Sequence, residues 1–204
     1  PEVQAFRSLW RESSNAEKCL EIIPKFLGFE RDMLAHLARK PEDWVGAFRK
    51  LPNNLQLMMV HSLQSEAFNR IIAARLEAGL TLAEPIEGDV VGLIQDNGKI
   101  DMTKLVEVDS DILPRISRNC RLGRLAVTAS LPGAESKFTE SIPGEIERNV
   151  ISEMGLDEED WQVSGIPRLT SKGSRRALTV SFSDFSVEEA GDVEGERLSE
   201  RFSQ

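Results

Sequence analysis

The sequence predicts an α+β fold: an N-terminal helical array followed by a mixed, β-rich half with two helices. Three observations predict it. Apolar residues recur near helical spacing through about residue 80, and β-branched runs with turn dipeptides take over from about residue 86. Strands also fail to alternate regularly with helices, as a doubly wound sheet would require.

Taken in order, NAEKCLEIIPKF is helical until Pro24, GFERDMLAHLARKPEDW repeats the pattern and stops before Pro41, and EDWVGAFRKLP closes at Pro52. The longest segment is NNLQLMMVHSLQSEAFNRIIAARLEAGL. Asn53 or Asn54 can cap it, Gly79 can close it, and Leu55, Met58, Met59, Leu63, Phe68, Ile72 and Leu76 form an apolar stripe. This reads as one long buried helix at the centre of the helical array. GDVVGLI, the DNGK turn and KIDMTKLVEV predict a hairpin. Asp109 or Ser110 then opens a short helix in DSDILPRISRNCRLG that stops at Gly123, and RLAVTASLPG is a strand. Residues 134–143 read as a loop, PGEIERNVISEMGL as a helix ended by Gly155, and DEEDWQVSGI and RRALTVSFSDF as two more strands. The organisation expected is a helical subdomain over 1–84, an α+β subdomain over 85–185 and a polar connecting tail over 186–204.

The chain of 204 residues is 40% apolar and 29% charged, which fits a globular protein with a buried core. Cys19 and Cys120 form no CxxC or Cys/His cluster, so free thiols in a reducing, cytoplasmic setting are expected. No run is long and apolar enough for a membrane span, and the first residues lack a signal-peptide layout, so no membrane partner is expected. A net charge of −9 argues against nucleic-acid binding through bulk charge and leaves room for a local basic patch.

Several enzyme classes find no support. His36 and His61 lack triad or zinc spacing, and His61 reads as a packed or hydrogen-bonded core histidine. Acidic clusters fall in links and at helix starts, and no phosphate-loop or dinucleotide motif occurs, so no cofactor, metal or catalytic residue is assigned. Asp89 reads as a turn or strand-end hydrogen-bond acceptor and Asp184 likewise has no catalytic context.

Positive charge is more informative. Arg115, Arg118, Arg121 and Arg124 recur every three residues, the first three on one side of a short helix. They form either a phosphate-facing ridge or surface pairs with Asp109, Asp111 and nearby glutamates. In SKGSRRALTV, Lys172, Gly173, Arg175 and Arg176 stand at a strand entrance, and the adjacent arginines must point to opposite faces. One can pair internally while the other reaches a polyanion, for which arginine's planar fork is suited. Spacing alone leaves phosphate recognition and a structural salt bridge both open.

Four ordered segments then carry a resemblance: LPNNLQLMMVHSLQSEAFNRIIAARLEAGL followed by EGDVV, AVTASLPG, PGEIERNVISEMGL, and LTSKGSRRAL with its G-x-R-R motif. Over about residues 5–185 the chain resembles the TruD family of tRNA pseudouridine synthases in its archaeal form. The resemblance implies a family that isomerises a D-arm uridine of tRNA, at position thirteen, without metal or organic cofactor. It implies tRNA as partner, together with the remainder of the synthase catalytic domain. The family's catalytic aspartate belongs to a G-x-x-D-K-x-A-type segment, near an N-Y-F-G-type segment, and neither occurs in this chain. The region matched is therefore the family's inserted domain and its edge with the catalytic domain, expected to bind RNA and to be inactive alone. Lys172, Gly173, Arg175 and Arg176 match the arginine motif and its preceding lysine. Gln64, Ser65, Phe68, Asn69 and Arg70 match the family's helix, with Phe68 as core and Asn69 and Arg70 as caps, buttresses or RNA contacts. The competing expectation is a non-catalytic α+β protein–protein interaction module.

Overall fold

Prolines and short polar breaks cut the first fifty residues into four helices: α1 (Glu2–Ser13), α2 (Ala16–Ile22), α3 (Gly28–Arg39) and α4 (Trp44–Phe48). Asn15 caps α2, its Oδ1 accepting from the Lys18 N–H at 2.9 Å, and Asp43 caps α4 through the Gly46 N–H at 2.9 Å. Their apolar faces meet in a core of Phe6, Ala16, Cys19, Ile23, Leu34, Leu37 and Ala47. This is a computed structural model, and it describes residues 2–157, 159–163, 165–180, 182, 186 and 187.

The long helix α5 spans Asn53–Glu77, as its pattern predicts, and Gly79 closes it at φ +75°. Its cap and its buried face differ from expectation. Pro52 occupies the capping position, Asn54 accepts from the adjacent Leu55 N–H, and Asn53 accepts from Arg168. Met58, Met59, Leu63 and Leu76 of the expected stripe are exposed, while Gln56, Gln64, Ala67, Phe68, Ile71 and Arg75 are buried. The apolar side chains spread around much of this helix, so the buried face is fixed by partners that polar residues find. Nor does α5 sit at the centre of the helical array; it packs on the sheet and on the helix that follows the third strand.

Four strands, β1 (Val90–Ile94), β2 (Ile100–Glu107), β3 (Leu125–Leu131) and β4 (Ser174–Ala177), form an antiparallel sheet in the order β2-β1-β3-β4. The predicted hairpin turns at Gly98, with φ +76°. Between β2 and β3 lies α6 (Leu113–Arg121), and between β3 and β4 lies α7 (Ile142–Glu153). Asp109 opens α6 by accepting from the Asp111 and Ile112 N–H groups, and Gly123 and Gly155 end the two helices at φ +69° and +67°. Phe68, Ile71, Val91, Val108, Ile116, Val127, Ala129, Val150 and Leu178 make a second core where α5, α6 and α7 meet the sheet. The sheet curls enough to bring its edge strands β2 and β4 near one another. Seven α-helices and this sheet, among the described residues, make the fold α+β.

The strand expected in DEEDWQVSGI is absent from its described residues. A 3-10 turn, Glu159–Trp161, stands there instead, followed by another at Pro167–Leu169. Local carboxylate chemistry explains the change: Asp157 accepts from the Glu159 and Asp160 N–H groups, and Asp160 accepts from the Asp157 N–H. Trp161 is then buried from a turn. The last expected strand is shorter than its pattern; its residues 181 and 183–185, including Asp184, and the tail beyond residue 187 lie outside the described residues.

Candidate nucleic-acid interface

Alternation along β4 sends its two arginines to opposite faces, as their adjacency demands. Arg175 turns inward. Its Nη2 and Nη1 donate to Glu147 Oε1 and Oε2 at 2.7 and 3.2 Å, and its Nε and Nη2 donate to the Thr128 hydroxyl and carbonyl at 2.9 and 3.0 Å. The pair is almost sealed, with 10% of the Arg175 side chain and 5% of that of Glu147 exposed. Burial pushes the Glu147 carboxyl above the usual range and the Asp89 carboxylate adds to this, while Arg175 and the Ser130 N–H pull it back without cancelling the rise.

A second buried pair lies close by. Arg75 on α5 holds Asp89 at 2.6 and 2.8 Å, and Asp89 also accepts from the Ile86 N–H, the turn bond expected of it. Outward from β4, the Arg176 guanidinium lies 5.3 Å from the Phe68 ring centroid, exposed and without an ion pair among the described residues. Phe68 is in the core, as expected, and presents one face to this cation.

Gly173 is required by geometry. It takes φ +87° where the 171–173 segment crosses the 133–135 turn, and a Cβ on the facing Gly133 would fall 2.0 Å from the Gly173 nitrogen. The Ala134 and Glu135 N–H groups donate to the Ser171 and Lys172 carbonyls, and buried Gln64 donates from Nε2 to the Pro132 carbonyl and to Ser171 Oγ, both at 2.7 Å. Lys172 is left on the surface, 3.1 Å from Glu135, which is also mostly solvated.

The α6 arginines behave differently. Arg115, Arg118, Arg121 and Arg124 are all exposed, and none has a carboxylate partner among the described residues. The alternative pairing with Asp109 is not formed among the described residues, and its Oδ1 instead accepts from two backbone N–H groups. Asn69 is exposed on α5, and Arg70 pairs with Glu66 one turn earlier at 2.7 Å. No hydrogen bond or ion pair joins the α6 ridge to the β4 group among the described residues.

Glu147 and Thr128, which fix the inward arginine, had no distinguishing signal in the sequence; Glu147 reads as an ordinary helix acid. His61 is exposed, which corrects its reading as a core residue, and His36 Nε2 lies 2.8 Å from Asp43 Oδ2 in the helical array. Among the described residues no group of three or more His, Cys, Asp or Glu could hold a metal, and no helix is long and apolar enough to cross a membrane.

Known proteins resemble this chain along most of its length. The family described as tRNA pseudouridine synthase D (TruD) matches residues 1–199. The Methanosarcina mazei protein named "Probable tRNA pseudouridine synthase D" is 39% identical over 177 residues, covering 87% of this chain and 40% of its own length. That of Methanopyrus kandleri, named likewise, is 33% identical over 93% of this chain and 40% of its own length. A solved TruD crystal structure from Methanosarcina mazei is similar with a TM-score of 0.79 and 38% identity, over 87% of this chain and 40% of that one. The chain thus spans about 40% of the length of the curated relatives it matches.

Proposed function

The chain belongs to the TruD family of tRNA pseudouridine synthases, and from that premise we propose that it is an RNA-binding portion of a synthase that isomerises a D-arm uridine of tRNA, at position thirteen, to pseudouridine. In this reading the catalytic aspartate comes from a segment outside these residues, the chain alone is inactive, and no metal or organic cofactor takes part. Its partners are tRNA and the remainder of the catalytic domain, and it works in the cytoplasm.

One observation carries the RNA-binding reading: on a chain of net charge −9, four exposed guanidinium groups follow one another along and just past α6 without carboxylate partners among the described residues. RNA affinity comes largely from neutralised phosphates, and recognition of a folded RNA needs a positioned ridge more than a basic protein. Arg118 and Arg121 serve as the phosphate contacts. Arg176, Lys172, Asn69 and Arg70 form a second contact group, which Arg175 and Gly173 hold in place at the RNA-facing surface. Uridine chemistry inside a folded RNA needs the base extruded into a pocket, so positioning the RNA is itself a functional contribution.

The test is a titration of a tRNA transcript at several salt concentrations. Changing Arg118 and Arg121 to Gln should lower affinity and reduce the log–log salt slope by about 0.7–0.9 per lost contact, with the thermal midpoint unmoved. Unchanged affinity at low salt removes the ridge from the interface. The interaction-module reading has one feature in its favour, an open apolar groove of about 610 Å³ among α1, α3 and α4, lined by Phe6, Trp10, Leu37, Trp44 and Phe48. A folded protein that fails to bind tRNA even at low salt favours that reading.

A further inference from the structure

Where the sheet curls, its edge strands leave a seam of about 210 Å³ that the arginine motif alone does not account for. Met102 and Leu105 of β2 line one side, Ser174 and Arg175 of β4 the other, with Ser130 of β3 and the 135–137 turn completing it. We infer that this seam is a subsite for one unpaired nucleotide of RNA, with its phosphate at Lys137 and Lys172 and its base against Met102 and Leu105. The inference rests on the RNA-binding reading and names a place for the RNA separate from the α6 ridge.

Four features support it. First, the walls divide by chemistry: apolar side chains on β2 and ammonium groups with hydroxyls opposite them, which suits the flat apolar face and charged backbone of a nucleotide. Second, Lys137 is exposed and has no ion-pair partner among the described residues. Third, Lys172 is held among the described residues only by Glu135, with side chains 78% and 63% exposed, and a pair so solvated yields readily to a phosphate. Fourth, Ser136 Oγ accepts the Gly133 N–H at 2.8 Å, which leaves its own proton to donate, and Gly173 places bare backbone at the seam. Arg175 contributes a wall and no free charge, since Glu147 and Thr128 occupy its fork. Glu135 then opposes binding by competing for Lys172.

That competition gives the test two opposite signs. With the whole chain and a tRNA transcript at low salt, K137Q/K172Q should weaken binding about tenfold and lower the salt slope by roughly 1.4, the value for two single-strand phosphate contacts. Glu135→Gln should instead tighten binding by about two- to fivefold. These three residues are exposed, so the fold should be undisturbed. Methionine-methyl NMR supplies the second measurement: of five methionines, Met102 should shift on adding a short single-stranded uridine-containing RNA. If tRNA binds and R118Q/R121Q weakens it while all three seam changes and the Met102 methyl are without effect, the subsite is overturned and the RNA reading stands. A Met102 shift with free uridine monophosphate but none with RNA also overturns it, assigning the seam to a mononucleotide. Absence of any tRNA binding sinks both readings together.

Discussion

The core under α1–α4 contains only apolar residues, Phe6, Ala16, Cys19, Ile23, Leu34, Leu37 and Ala47, whereas the core beneath the sheet lies beside buried Arg75, Asp89 and Glu147 and the nearly buried Arg175. The helical array keeps its polar link, His36 to Asp43, nearer the surface. The sheet side can enclose charge because every member is satisfied: two bidentate arginine–carboxylate pairs absorb each other's donors, and the Thr128, Ser130, Ile86 and Thr81 backbones take what remains. No buried side-chain nitrogen or oxygen among the described residues lacks a partner. The difference separates two kinds of arginine in one chain. Those with buried carboxylate partners specify the fold, and those on α6 and the outer face of β4 are free to meet a ligand.

The strongest way to break this comparison is to remove one member of a buried pair. Glu147→Ala should cost about 3–5 kcal/mol in urea unfolding, because Arg175 is left as an uncompensated charge, and Arg75→Ala should cost about as much by stranding Asp89. Replacing both Arg175 and Glu147 with Met and Leu should recover most of that loss. If the double variant is as unstable as the singles, the pair is not the reason for the damage. In the helical array the comparable injury is a cavity: Leu34→Ala or Leu37→Ala should cost about 2–5 kcal/mol. Recording Trp10 and Trp44 beside Trp161 in variants keeping one set would show whether loss in one core leaves the other folded.

A smaller effect should follow from Gly133→Ala. Its Cβ would meet the Gly173 backbone, which cannot move aside as a flexible side chain would, so about 1–3 kcal/mol is expected. Because that crossing carries Lys172, the variant should also weaken tRNA binding beyond what Lys172→Gln does. Equal binding would show that the crossing supports the fold alone.

How much was legible follows from how local each signal is. The hairpin, α6 and α7 were readable because Gly98, Asp109, Gly123 and Gly155 act within a few residues of themselves. That one of Arg175 and Arg176 must face inward was also readable, from strand alternation. Which one does so depends on Glu147, 28 positions earlier on another element, and no periodicity reports that. The same limit hid part of the face of α5: Gln64 is buried where Pro132 and Ser171 accept its amide, so the apolar pattern placed Phe68 and Ile72 correctly but Met58, Met59, Leu63 and Leu76 on the wrong side. In DEEDWQVSGI the expected strand gave way to a turn because carboxylates bond nearby N–H groups. The α6 ridge was visible from its spacing of three, yet its lack of carboxylate partners had to come from the three-dimensional arrangement.

The least effect expected is on the pH dependence, where the two regions should pull in opposite directions. Burial raises the Glu147 carboxyl in the folded state, so the folded protein holds that proton longer than the unfolded chain. Its contribution is fully present below the ordinary glutamate value and is lost as pH rises through the raised folded value. Asp43 is the reverse case: the His36 hydrogen bond first and the Gly46 N–H second hold its carboxyl below the usual range. Its contribution is present above the ordinary aspartate value and is lost as pH falls through the depressed folded value. Acid should therefore loosen α4 and its Trp44 first, because the raised Glu147 carboxyl adds nothing to the stability lost as pH falls. Fluorescence of Trp10 and Trp44 against Trp161 in single-tryptophan variants, followed downward from neutral pH, should show the helical array responding first, and Asp43→Asn should remove that early step. If Trp161 responds first, or if Asp43→Asn leaves the order unchanged, acid sensitivity does not divide along the two cores.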